Sequence, residues 1–146
     1  MRIWVEPMLG RLARWLRLLG HDAPLRRGDW PRLLPGEALI TRRRALAGRP
    51  GVVFVTSDHL EEQLAQVMAE LGLKLEPAHL FTRCLDCNQP VEPASREQVQ
   101  GLVPEYILHT AEAFSRCPAC GKIYWPGSHG RRALALLERL SPPPAR

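Results

Sequence analysis

The sequence predicts an α/β protein: a parallel sheet flanked by helices, joined to a second unit held together by cysteines. Three observations carry that expectation. Through the first half of the chain, short apolar runs alternate with helix-length amphipathic stretches, and alternation with connections of this length gives a parallel sheet. The pattern changes near Lys74, and helical periodicity is sparse from there to about His129. That second stretch contains all four cysteines of the chain, arranged as two close pairs.

The elements follow in order. "MRIWVEPMLGRLARWLRLLGHD" opens with a short strand over 3–5. Pro7 suits the first turn of the helix that follows, and Gly20 suits its left-handed cap. Between them Leu9, Leu12, Ala13, Leu16 and Leu19 form an apolar stripe, while Arg11, Arg14 and Arg17 share another arc. "RRGDWPRLLPGEALIT" reads as a loop, a short helix capped by Asp29 and started with help from Pro31, and a second strand over 38–41. "GVVFVTSDHLEEQLAQVMAELGL" repeats the pattern, with a third strand over 52–56 and a helix whose face carries Leu60, Leu64, Val67, Met68 and Leu71 until Gly72 ends it. "SHGRRALALLERL" reads as a closing helix and "SPPPAR" as a frayed tail. The expected organisation is therefore an α/β unit over 1–75, the cysteine unit over 80–130, and a closing helix and tail over 131–146.

Composition narrows the function classes. No apolar run is long enough to span a bilayer, and no basic-then-apolar signal stands at the start, which places the chain in the cytoplasm. The formal charge is +5, and 18 of the 20 basic residues are arginine. The planar guanidinium pairs bidentately with phosphate, so the excess favours phosphate-bearing partners. A thermostability or compositional bias gives the same signature.

"RCLDCN" and "RCPACG" are two Cys-x-x-Cys knuckles with 29 residues between Cys87 and Cys117. Two intervening residues let both thiolates of a knuckle close on one tetrahedral ion. A cytosolic chain rarely keeps disulfides, and two separate dithiol redox centres have no evident use. Cys84, Cys87, Cys117 and Cys120 are thus expected to hold a structural zinc, with a hairpin or helix inserted over 95–113. A site closed by four sulfurs has no open position for substrate. Tyr124 and Trp125, beyond the second knuckle, are expected to pack the ribbon against the first unit. Base stacking by them and His129, among Lys122, Arg131 and Arg132, is the competing reading.

In a parallel sheet, ligands bind at the carboxyl ends of the strands. Glu6, the run Arg42, Arg43 and Arg44, Ser57 and Asp58 all fall at that edge. Each acid also has a structural reading: Asp58 with Glu61 makes a capping-box pattern, Asp29 is a helix cap, and Glu6 stands where a helix dipole favours an anion.

"MLGRLARWLRLLGHD", "LITRRRAL", "SDHLEEQL", "RCLDCN" and "CPACGKIYWPGSH", in that order and spacing, resemble the Mut-seven C-terminal RNase domain family over nearly the whole chain. The resemblance implies a PIN-like parallel sheet with an attached zinc ribbon, and metal-dependent cleavage of RNA as the activity. It implies magnesium or manganese held by acids at strand ends, here Glu6, Asp29 and Asp58, with Arg14, Arg17, Arg42 and Arg43 contacting RNA. Asp22 also matches a position in the pattern and is expected to be structural. One departure stands out: the acid implied after the Thr-Arg at the end of the second strand is here Arg43. A cation about 5 Å from a divalent ion costs roughly 6 to 7 kcal/mol at an effective dielectric of 20. Even ~2 to 3 kcal/mol surviving relaxation weakens metal binding about 30- to 150-fold. The alternative to an RNA-processing ribonuclease is therefore a zinc-ribbon RNA-binding protein that no longer cuts. In either case Arg43 is expected to lie within reach of Glu6 or Asp29.

Overall fold

The computed structural model describes residues 1–27 and 32–140, with side chains for all of these but Ser128 and His129. Three parallel strands, β1 (Arg2–Val5), β2 (Glu37–Thr41) and β3 (Val52–Phe54), lie in the order β1-β2-β3. The register pairs Ile3 with Ala38, Val5 with Ile40 and Ile40 with Val53. These residues alternate onto one face, against which α1 (Gly10–Leu18), α2 (Leu60–Leu71) and α5 (Ser128–Leu140) are packed. Leu12, Leu16, Leu64, Val67, Met68 and Leu137 are essentially without solvent contact there. The closing helix thus returns from the cysteine unit to the first core, through Ala133 and Leu137. The expected short helix begins at Asp29, and residues 28–31, like the tail 141–146, lie outside the described residues; residues 32–34 are not helical.

The chain between α1 and β2 adds a feature that the apolar pattern does not signal. Residues 22–25 run parallel to β1 on the edge away from β2, bridging Arg2 to Asp22 and Val5 to Leu25. The Ile3 amide donates to Asp22 O at 2.8 Å, and Val5 N donates to Pro24 O at 3.0 Å. Chain order therefore reverses at β1, with the next segment on one side and β2 on the other. Such a switch point opens a crevice at the carboxyl end of the central strand. Glu6 is the residue that follows that strand.

Gly20 makes the turn into this edge segment. Its φ of +95°, the bond from Gly20 N to Arg17 O at 2.9 Å and that from His21 N to Leu16 O at 3.0 Å form the Schellman cap expected for α1. A Cβ at Gly20 would meet His79 O at 2.4 Å, so the position excludes a side chain as well as favouring a positive φ.

A second sheet, antiparallel, contains β4 (Glu92–Ala94), β5 (Phe114–Arg116) and β6 (Ile123–Tyr124) in that order. Two short helices, α3 (Arg96–Val99) and α4 (Glu105–Thr110), connect β4 to β5, so the inserted segment is helical. Ser95 and Gln98 make a complete capping box at α3. Val99, Ala111 and Phe114 form a small core, with Trp125 packed against it. Trp125 was expected to pack toward the first unit and instead packs inside the second.

The two sheets are fastened by polar groups. Arg17 is buried: its Nη2 and Nε donate to Ala23 O at 2.9 and 3.1 Å, and its Nη1 donates to Leu85 O at 2.7 Å and Asp86 O at 3.3 Å. Asn88, at φ +60°, accepts from Ala23 N at 3.0 Å and donates to Asp22 Oδ1 at 2.6 Å. Asp22, also paired with Arg2 at 3.0 Å, has the structural role expected of it. Arg83 donates to Asn88 O at 2.7 Å and to Gly20 O at 3.3 Å. Arg17→Met would leave the buried Ala23 carbonyl and the half-buried Leu85 carbonyl without these donors, and about 1 to 3 kcal/mol is lost per unsatisfied buried group. The variant is expected to melt about 5 to 15 °C below the parent, read by circular dichroism.

Candidate metal centre and carboxyl-edge site

The two knuckles converge. The sulfurs of Cys84, Cys87, Cys117 and Cys120 all lie within 4.8 Å of one another, and Cys84 and Cys120 are 3.7 Å apart. Sulfurs placed roughly 2.3 Å from one ion at tetrahedral angles are separated by ~3.8 Å. The fit to a zinc-sized ion is therefore direct. Backbone amides support the charge, Cys87 N donating to Cys84 Sγ and Lys122 N to Cys120 Sγ, both at 3.4 Å. The Tyr124 hydroxyl donates to Cys84 Sγ at 3.1 Å while accepting from Leu85 N at 3.0 Å. Tyr124 thus ties β6 to the first knuckle, next to the first unit.

Electrostatics point the same way. Burial pushes the Cys84 thiol up, but the Tyr124 hydroxyl and the Cys87 and Asp86 amides outweigh it and bring the thiol down to about 7. At Cys87, hydrogen bonding with Cys120 leads the causes that push the thiol up to about 12. A first thiolate is favoured here and further ones are repelled, a conflict that a divalent cation removes.

At the carboxyl edge the sequence-expected residues separate into two pairs. Glu6 is 5% exposed. Its Oε1 accepts from the Thr41 hydroxyl and from Arg42 N, the latter at 2.9 Å, and its Oε2 faces Arg43 Nε at 3.0 Å. Arg43 N donates in turn to Thr41 Oγ1 at 2.9 Å, so the chain leaving β2 folds around the carboxylate. The expected contact between Arg43 and Glu6 is present. Arg42 turns the other way, its Nη2 lying 2.8 Å from Asp58 Oδ1 and 3.3 Å from Thr56 O.

Asp58 does not cap α2. That helix has His59 at its N-cap with no side-chain capping bond; Ser57 Oγ accepts from His59 N at 3.0 Å and donates to Glu62. Sequence reasoning places Asp58 in a capping box because Glu61 follows at the right spacing, whereas Arg42, fourteen residues from Thr56, offers it a full charge.

These surroundings do not suit a divalent ion at Glu6. Both oxygens are already occupied by protein donors, one of them cationic, and magnesium or manganese needs free oxygen ligands in near-octahedral array. Among the described residues, the cysteines alone bring three or more Cys, His, Asp or Glu ligand atoms to one point. Asp29 lies outside those residues.

The basic arc of α1 is also divided. Arg11 is exposed, and Arg14 is about half exposed and paired with Asp86. Arg17, expected beside them as an RNA contact, directs its donors to Ala23, Leu85 and Asp86 carbonyls. Helical periodicity cannot show this, because two of the acceptors lie nearly seventy residues away. Lys122, absent from the expected contacts, shares Asp86 with Arg14, and Arg14 chiefly holds that carboxyl below the usual range.

The purified protein should contain about one zinc per chain. Tyr124→Phe removes a hydrogen bond to a ligand sulfur, and supporting bonds of this kind are typically worth about 10- to 100-fold in metal affinity. Chelator competition should show that loss without loss of the one-to-one ratio.

No helix of the described residues is long and apolar enough to cross a membrane. A model of the Mut7-C RNAse domain matches residues 1–137 of the chain. No curated protein and no solved structure matches it.

Proposed function

The chain belongs to the Mut7-C RNAse domain family, and from that premise we propose that it engages RNA phosphates at the carboxyl edge of its parallel sheet, with little or no cleavage dependent on a divalent metal. One observation carries this reading: Arg43 pairs with Glu6 at 3.0 Å while Thr41 and Arg42 occupy the other carboxylate oxygen. The arginine supplies the compensating charge that a metal would otherwise bring. Its side chain is half exposed, so the same guanidinium can meet a phosphate from solvent. Arg42 and Arg44 flank it, and Arg11 and Arg14 extend the cationic surface along α1. Arg17 does not belong to this set, since its donors are engaged in the fold.

Family membership supports a second reading, a magnesium- or manganese-dependent ribonuclease with Glu6, Asp29 and Asp58 as ligands. The two readings diverge in a single assay. The unaltered protein, incubated with single-stranded and structured RNA and either metal, is expected to bind without appreciable cutting. Robust metal-dependent cleavage would establish the second reading and sink the first.

Arg43→Asp restores an acid next to Glu6 and removes the competing cation. Magnesium or manganese affinity, followed by calorimetry, should then rise by about 30-fold or more, on the same ~2 kcal/mol that weakens it in the parent. For RNA binding, the logarithm of affinity should fall with the logarithm of salt by about 0.7 per phosphate neutralised. Arg14→Ala and Arg42→Ala should each lower affinity and flatten that slope. A salt-independent affinity would exclude phosphate recognition.

A further inference from the structure

Between α1, α5 and the first knuckle lies a groove of about 410 Å³, lined by Arg14, Trp15, Leu18, Leu85, Arg132, Ala133 and Leu136. Its floor is apolar and its charged lining residues, Arg14 and Arg132, are both cationic. No acid lines it. The carboxylate adjoining it is Asp86, which Arg14 and Lys122 already share. Arg132 is exposed and makes no ion pair among the described residues, and Arg11 and Arg131 are exposed on the same two helices.

We propose that this groove receives an unpaired base of single-stranded RNA, stacked on Trp15, with the flanking phosphates on Arg14 and Arg132. The proposal rests on the RNA-binding reading above and adds a base-binding subsite away from the carboxyl edge. An aromatic ring with an apolar floor between two guanidiniums suits a nucleotide, whose base is flat and apolar-faced and whose backbone is anionic. A peptide would need an apolar anchor with an acidic residue on each side to meet the two arginines, whereas every nucleotide of a single strand carries both features. The groove is also assembled from distant parts of the chain: α1 gives Trp15, the knuckle gives Leu85, and α5 gives Arg132. Docking of the cysteine unit is what completes it, which gives that unit a function beyond its own stability.

The test uses the zinc-loaded full chain, a short uridine oligomer, and a duplex of the same length. Uridines replaced one at a time by 4-thiouridine should crosslink to peptides containing Trp15, Leu85 or Leu136. Arg132→Glu should weaken binding of the oligomer by about 10-fold or more with no change in melting temperature. An oligomer with one abasic position should bind the parent about 5- to 150-fold less tightly, the range that one stacked base contributes; because this arm leaves the protein unaltered, it holds even where Trp15→Ala fails to fold. Oligomer binding with crosslinks confined elsewhere and no response to Arg132→Glu overturns the groove, leaves it to a protein segment, and leaves the carboxyl-edge reading intact. Duplex binding as tight as single-strand binding also overturns the groove. Absence of any RNA binding by the parent removes both readings together.

Discussion

The buried guanidinium of Arg17 is the constraint on which the rest of the architecture depends. Its donors are divided between Ala23 O, in the segment that extends the parallel sheet, and Leu85 O and Asp86 O, inside the first knuckle. One side chain on α1 thus fixes the sheet edge and the cysteine unit relative to the same helix. Arginine suits the position because its planar fork presents several donors at fixed angles and retains its charge when partly desolvated. Lysine would offer a single ammonium to acceptors that lie on different segments.

A metal ion on the four sulfurs would act on the same few residues as Arg17. The knuckle turn that presents Leu85 and Asp86 to Arg17 is closed by Cys84 and Cys87, and Tyr124 links its Cys84 sulfur to the second sheet. An ion that draws the four sulfurs together therefore also sets the carbonyls that receive the guanidinium. Asn88, one residue past the knuckle, reaches back to Ala23 and Asp22. Metal binding in such units is folding free energy, and here that free energy extends into the parallel sheet through direct hydrogen bonds.

What the sequence makes legible follows from the range of the forces involved. The three parallel strands, the third ending at Phe54 and not at residue 56, and α1, α2 and α5 are read because apolar periodicity is local, and the cysteine centre because a two-residue spacing alone confines two sulfurs to one turn. The edge segment 22–25 is invisible to the same reasoning, since its pairing with β1 is made by backbone groups whatever the side chains. Arg17 misleads because its spacing from Arg14 places both on one helical arc, while acceptors contributed by distant residues bury one and leave the other half exposed. Asp58 misleads for the same reason: a valid capping pattern is lost to Arg42, the residue that follows β2. The carboxyl edge is foreseeable as a cluster, and so is the approach of Arg43 to Glu6, but not the pairing of Arg42 with Asp58.

An arginine where the family resemblance implies an acid has chemical consequences that depend on what a guanidinium can supply. Like a metal, it offers positive charge to a phosphate and holds it in a defined orientation. Unlike a metal, it cannot coordinate water and lower its pKa, and it carries one charge rather than two. A guanidinium is also a poor proton donor or acceptor near neutrality. A site built around Arg43 and Glu6 therefore keeps the electrostatic half of phosphodiester chemistry and lacks the half that generates a nucleophile. Glu6 does not readily take over that part as a general base, because both of its oxygens are already engaged by Thr41, Arg42 and Arg43. On the proposed reading, RNA is held at these strand ends and the water that would cut it is not activated.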